Sequence, residues 1–317
     1  MATISASMVK ELREKTGAGM LDCKKALEES NGDMEAAIDY LRKKGLSAAA
    51  KKSSRITAEG AVCALIKDGS LAVLVEVNCE TDFVARNPEF QEYVSNLAKH
   101  VAENNPAVLK AEDGANALMD QKWIADPTKT VNEITNNLIA KIGENISPRR
   151  FIRWELQGSG RIHSYIHMGS KLGVLVEAGA PETLVNNEEF QQFVKMTSMH
   201  IAAANPMTVE RSAVPADVLE REREIYKVQV RESGKPENMV DKIVEGKLNK
   251  FYKDNCLLEQ IWVHDNESSV AKAMADVSKR LGGDIGIRRF ARWMVGEGLE
   301  KRSNDLVADV AQQLKGK

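Results

Sequence analysis

Apolar residues recur at helical spacing from the start of the chain. In ASMVKELREKTG, Met8, Val9 and Leu12 share one stripe, and Gly17 stands where a helix C-cap would. The run MLDCKKALEES carries Leu21, Cys23, Ala26 and Leu27 before Asn31-Gly32 breaks it. Asp33 suits the N-cap of DMEAAIDYLRKK, whose stripe is Ala37, Ile38 and Leu41 and whose end is expected at Gly45. Three short helices bury only a small core, which points to a docking module rather than a catalytic body.

Beyond this segment the period shortens to that of strands. VCALIK, Asp68-Gly69 and LAVLVEV form one hairpin pattern; RIHSYIH, Met168-Gly169 and KLGVLVEA form another. The two belong to copies of one unit, because residues 60–106 and 160–206 align. LAVLVE meets LGVLVE, NPEFQEYV meets NEEFQQFV, His100 meets His200, and Asn105-Pro106 meets Asn205-Pro206. Each hairpin leads through an Asn N-cap into a helix, striped by Phe90, Val94, Leu97 and Val101 in one copy and by Phe190, Val194, Thr197 and Ile201 in the other. Pro88 suits the first position of the first of these helices. A second echo, KIGENISPRRFIRWEL against RLGGDIGIRRFARWMV, closes each copy with a strand.

An insertion precedes each closing strand. AEDGANALMDQKWIADPTKT is mixed in character and suggests no chemistry. The second, PADVLEREREIYKVQVRESGKPENMVDKIVEGKLNKFYK, reads as two charged helices joined at Ser233-Gly234-Lys235-Pro236, with Val218, Ile225 and Val228 expected to face Val240, Val244 and Leu248. At a rise of 1.5 Å per residue such an arm reaches roughly 20 to 25 Å. The expected class is therefore α+β. A three-helix docking bundle spans 1–48, a basic linker 49–57, core half one 58–157, and core half two 158–296 with a helical-hairpin (coiled-coil) arm at 217–253. A C-terminal helical module follows at 297–317, and each core half is a small antiparallel sheet with helices on one face.

Composition narrows the function. A formal charge of −2 on 317 residues gives no global attraction to nucleic acid, and 43% hydrophobic residues argue against disorder. Cys23, Cys63, Cys79 and Cys256 form no Cys-x-x-Cys pair, which fits a reducing, cytoplasmic setting without a zinc knuckle. Neither a signal peptide nor a membrane span is expected. His163 and His167 share a strand face but stand about 13 Å apart, too far for one metal. No nucleophile elbow, zinc-helix motif or phosphate loop occurs, so no catalytic residue, metal or cofactor is expected. Between Arg42 and Arg55 lie six basic residues and no acidic one, which leaves open an RNA-binding accessory protein that uses this stretch and the arm.

SMVKELREKTGAGMLDCKKAL, VEVNCETDFVARN, the repeated LVE strands and KIGENI with its RRF resemble the bacterial elongation factor Ts family. The resemblance runs nearly end to end and departs at 112–131 and 253–280. It implies a UBA-like N-terminal bundle and a guanine-nucleotide exchange role on the translation GTPase elongation factor Tu, in its GDP-bound and nucleotide-free forms. DNA and membranes are not implied as partners, and a 2:2 complex stays open. The family's T-D-F-V motif falls on Thr81, Asp82, Phe83 and Val84, where the ring is implied to wedge between two helices of the GTPase and disturb its Mg²⁺ site. Further partner contacts are implied at Arg13, Met20 and Leu21 of the bundle and at His167 of the second core half.

Overall fold

The computed structural model describes residues 4–16 and 18–300. The C-cap expected at Gly17 and the stretch 301–317 lie outside them. Helices α1 (Ala6–Thr16), α2 (Met20–Glu29) and α3 (Met34–Lys52) enclose Leu12, Cys23, Ala26, Leu27 and Ala37. Leu21 departs from its expected stripe and faces solvent. Asp33 caps α3 by accepting from Ala36 N–H, as its position in the sequence suggests.

Gly45 does not end α3. The helix runs on to Lys52, so residues 49–52 of the expected linker are helical. The reason is tertiary: α3 packs against α6 (Val131–Ile142), and a Cβ at Gly45 would stand 3.4 Å from Asn137 Oδ1. The glycine keeps helical backbone at this contact and does not act as a terminator. Three of the six basic residues in this stretch are neutralised locally, Arg42 by Glu133, Lys44 by Asp22 and Arg55 by Glu80. Lys43, Lys51 and Lys52 make up the other three.

The repeat builds two three-stranded sheets. In the first, β2 (Leu71–Cys79) lies between β1 (Glu59–Lys67) and β5 (Ile146–Glu155); in the second, β7 (Leu172–Gly179) lies between β6 (Gly160–His167) and β8 (Gly286–Met294). The pairing of β6 with β7 is antiparallel, from Gly160 opposite Gly179 to His167 opposite Leu172. Helix α5 (Pro88–Asn104) follows the first hairpin, and α7 (Glu188–Ala204) packs on β6 and β7. Each starts at an Asn that accepts from two backbone N–H groups, Asn87 in one copy and Asn187 in the other. The described residues form two compact units: one takes those up to Cys63, Val75–Phe151 and 294–300, the other Ala64–Leu74 and Ile152–Trp293.

Both central strands carry a fully buried glutamate. Glu76 Oε2 accepts from Arg150 Nε at 2.6 Å, and its Oε1 accepts from Arg149 Nη1, Asn78 Nδ2 and the Gly296 backbone N–H. Glu177 repeats the arrangement with Arg289 Nε at 2.8 Å, Arg288 Nη1 and the Gln157 N–H. A buried carboxylate is tolerable only with such pairing.

A second duplicated device extends beyond the aligned stretches 60–106 and 160–206. His100 Nε2 donates to Gln121 Oε1 at 2.8 Å while its Nδ1 accepts from Ile124 N–H, and the ring stacks on Trp123. His200 does the same with Gln260 at 3.0 Å, Val263 N–H and Trp262. Both nitrogens of each ring are committed, so one neutral tautomer is fixed, and burial holds both pKa values below the usual histidine value. Gln121-Lys122-Trp123-Ile124 and Gln260-Ile261-Trp262-Val263 are therefore equivalent segments, and the residues around 112–131 are part of the repeat.

Helices α8 (Ala216–Glu232) and α9 (Glu237–Asn255) pack together, but the seam is turned from its expected face. Val230 and Tyr226, not Ile225 and Val228, meet Val240, Val244 and Leu248, while Ile225 and Val228 are exposed. The broad Tyr226 ring claims the inner position, and a shift of one residue rotates a helix face by about 100°.

The Glu177 cluster yields the first prediction. Glu177→Gln should lower stability by about 3 kcal/mol or more, because two guanidinium groups lose the charge that offsets their desolvation. Urea unfolding of the full chain reads this directly. A loss no larger than the roughly 0.5 kcal/mol of an ordinary surface substitution would contradict it.

Candidate functional site

The first hairpin ends at Cys79, and the chain then turns sharply into α4 (Asp82–Ala85). Thr81 is the N-cap: its backbone is extended, with φ −129° and ψ 155°, and its Oγ1 accepts from Val84 N–H. The same hydroxyl donates to Glu144 Oε1 at 2.6 Å, and Thr81 N–H donates to Glu144 Oε2 at 3.0 Å. Glu80 accepts from Asn145 N–H at 2.7 Å and from Arg55 Nη1 at 3.3 Å. The loop is thereby fixed at two consecutive residues.

Within that fixed frame the side chains divide. Ala85 is buried and Val84 half-buried, whereas the Phe83 ring is 82% exposed. Asp82 pairs with Arg86 at 2.9 Å along the turn. A large ring held out on a rigid turn gains nothing from the protein's own core and offers its whole face to a partner. The second copy builds the same corner without it. Ala180 and Pro181 stand where Glu80 and Thr81 stand in the first, Thr183 occupies the place of Phe83, and Leu184 is drawn against the second core.

The other expected site residues are exposed as well. Met20 and Leu21 open α2 side by side, at 60% and 84% exposure, and Arg13 faces solvent on α1. His167 lies at the end of β6, beside the turn in which Met168 has a φ of +53°, with its Nδ1 2.8 Å from Tyr165 Oη and its ring stacked on Tyr165. Ile166 and Met168 flank it as exposed apolar residues. Thr81 to Val84 form one continuous corner, and Met20 with Leu21 another. Among the described residues no hydrogen bond or ion pair links these two corners to each other. Sequence reasoning missed Glu80, Glu144 and Asn145, although Glu144 and Asn145 stand in KIGENI and the second copy has Gly283 and Asp284 there. That difference between copies was the available signal.

No group of three or more His, Cys, Asp or Glu side chains among the described residues could hold a metal, and no helix among them is long and apolar enough to cross a membrane.

Comparison with known proteins adds identity to this geometry. The family described as Elongation factor TS matches residues 80–297. The chain is 50% identical over 310 residues to Elongation factor Ts of Trichlorobacter lovleyi, covering 97% of each. It is 47% identical over 315 residues to Elongation factor Ts of Clostridium kluyveri, covering 99% of this chain and all of that protein. The protein of the same name from Clostridium botulinum strain Loch Maree is 46% identical over 315 residues, 98% of each.

The exposure of Phe83 makes a stability prediction. Phe83→Ala should leave the melting temperature of the free chain within about 2 °C of the parent. Phe90→Ala, which empties a fully buried site one helix further on, should cost about 3 to 5 kcal/mol. Differential scanning calorimetry separates the two, and an early-melting Phe83→Ala would show that the ring supports the fold.

Proposed function

The chain belongs to the elongation factor Ts family, and on that premise we propose that it is a guanine-nucleotide exchange factor for the translation GTPase elongation factor Tu. The observation that carries the reading is the solvent-facing Phe83 ring on a turn braced by Glu144 and Asn145. Inserted between elements of the GTPase near its nucleotide, the ring displaces groups that hold the Mg²⁺. Because the metal bridges protein and phosphates, loosening it weakens the nucleotide's whole attachment. No covalent step is required of this chain. Linkage then demands that bound GDP weaken the factor's affinity by the same ratio as the factor weakens that of GDP.

Magnitudes assign roles to the remaining surfaces. Fully burying one Phe contributes roughly 1.5 to 3 kcal/mol, whereas each decade of nucleotide affinity corresponds to about 1.4 kcal/mol. One ring therefore needs a wide interface behind it. In this proposal the N-terminal helices act as a UBA-like docking module through Arg13, Met20 and Leu21. The tip of the second hairpin contributes His167, Thr81 to Val84 form the exchange corner, and α8 with α9 forms a projecting coiled-coil arm. The factor works in the cytoplasm and engages both GDP-bound and nucleotide-free partner. An RNA-binding reading of the basic stretch is the weaker one, since three of its six basic residues, Arg42, Lys44 and Arg55, are already paired with acidic residues.

Stopped-flow release of labelled GDP from elongation factor Tu tests the proposal. Phe83→Ala should slow catalysed release by tenfold or more, a loss of at least about 1.4 kcal/mol of coupling. Mg²⁺ depletion should restore part of that loss, because chelation does what the ring no longer does. Release at the parental rate by a stable Phe83→Ala chain would overturn the assignment.

A further inference from the structure

The proposed role of Phe83 raises the question of what holds the ring in place, and the two copies answer it as an internal comparison. In the first copy α6 ends at Gly143, whose φ of +88° turns the backbone so that Glu144 and Asn145 come beneath the α4 corner. The Glu144 carboxylate takes both donors of Thr81, and Glu80 takes the Asn145 N–H in return. Asn145 Nδ2 also donates to the carbonyls of Arg55 at 3.1 Å and Ser53 at 3.4 Å. The segment leaving α3 is fastened to the same pair of residues.

In the second copy α10 (Val270–Leu281) ends in the same left-handed turn at Gly282, but everything beyond it differs. Gly283 stands in the place of Glu144, and a Cβ there would lie 2.6 Å from Leu184 Cδ1 and 3.1 Å from Pro181 Cγ. Apolar atoms fill the space that the carboxylate uses. Pro181 has neither the N–H nor the hydroxyl that such a carboxylate would hold. Donor, acceptor and exposed ring are thus present together in one copy and absent together in the other. A purely structural brace would be expected in both, since both corners fold.

We infer that Glu144 is a positioning residue for the exchange role of Phe83: it preorganises the Thr81–Ala85 turn, so that little ordering is needed when the ring enters the partner, and with Asn145 it ties that turn to the chain leaving the docking helices. The inference rests on the proposed exchange function. A carboxylate accepting two donors from one residue fixes both position and direction, and preorganisation of this kind lowers the cost of binding. Glu144 itself needs no contact with the GTPase.

The test uses the full chain and elongation factor Tu loaded with labelled GDP. In the free chain, Glu144→Ala should speed amide hydrogen exchange across residues 81–86 by about tenfold or more while α5 and β2 keep their protection. In stopped-flow, maximal GDP release should fall by about tenfold with less than a threefold change in the half-saturating concentration. The double variant Glu144→Ala/Phe83→Ala should release GDP no more slowly than Phe83→Ala alone, because both changes disable one ring. If Glu144→Ala prevents folding, Thr81→Val removes the hydroxyl side of the clamp and is read by the same measurements. Unchanged amide protection, or a double variant slower by the product of the two single effects, overturns the inference while leaving the exchange function standing. Parental release by Phe83→Ala alone would overturn the wedge reading and the positioning role with it.

Discussion

A buried carboxylate on the central strand of each sheet is the constraint on which the architecture depends. Glu76 and Glu177 are fully desolvated, and each is met by two consecutive arginines from the last strand of its sheet and by a backbone N–H beyond a closing strand. An unpaired charge in that position would cost several kcal/mol, so the pairing selects one alignment of the closing strand against the centre. The consequence reaches the candidate site. The α4 corner begins only a few residues beyond Glu76 on the same strand, and β5 begins immediately after Glu144 and Asn145. One ionic clamp thus sets where the two sides of the corner meet.

The duplication shares the frame and divides the surface. Both copies keep the buried Glu with its arginine pair, the histidine stacked on tryptophan, and the Asn-capped helix. They diverge where the frame meets solvent: one corner is polar, braced and topped by Phe83, while the other is packed by Pro181 and Leu184 against Gly283. Holding a large apolar ring out of the core forgoes roughly 1.5 to 3 kcal/mol of burial in the free chain. That potential burial is available to a partner, which is how the proposed exchange role would draw on an exposed ring.

Much of this was legible in the residues. Period-two runs around Asp68-Gly69 and Met168-Gly169 mark the hairpins because the turns demand left-handed backbone there, and Asn87 and Asn187 mark helix starts because their side chains satisfy free N–H groups. Tertiary forces account for the misses. Gly45 resembles a helix stop but lies within α3 where that helix packs on α6; Tyr226 displaces Ile225 from the α8–α9 seam; and Gln121 and Trp123 lay hidden in an apparent insertion because their partner, His100, is distant in sequence. The motif around Phe83 pointed to the corner through family resemblance. Its brace could not be read the same way, because hydrogen bonds between residues 81 and 144 leave no local period.

The central claim is that the ring couples two ligands rather than adding one more contact, and calorimetry on both states of the partner tests it most directly. Affinities of parent and Phe83→Ala chains would be measured for nucleotide-free and for GDP-bound elongation factor Tu. The account predicts that the ratio of the two affinities shrinks by tenfold or more in the variant, while GDP affinity in the presence of the chain recovers by the same factor. Equal weakening of both states, with the ratio unchanged, would make Phe83 an ordinary interface residue and contradict the account.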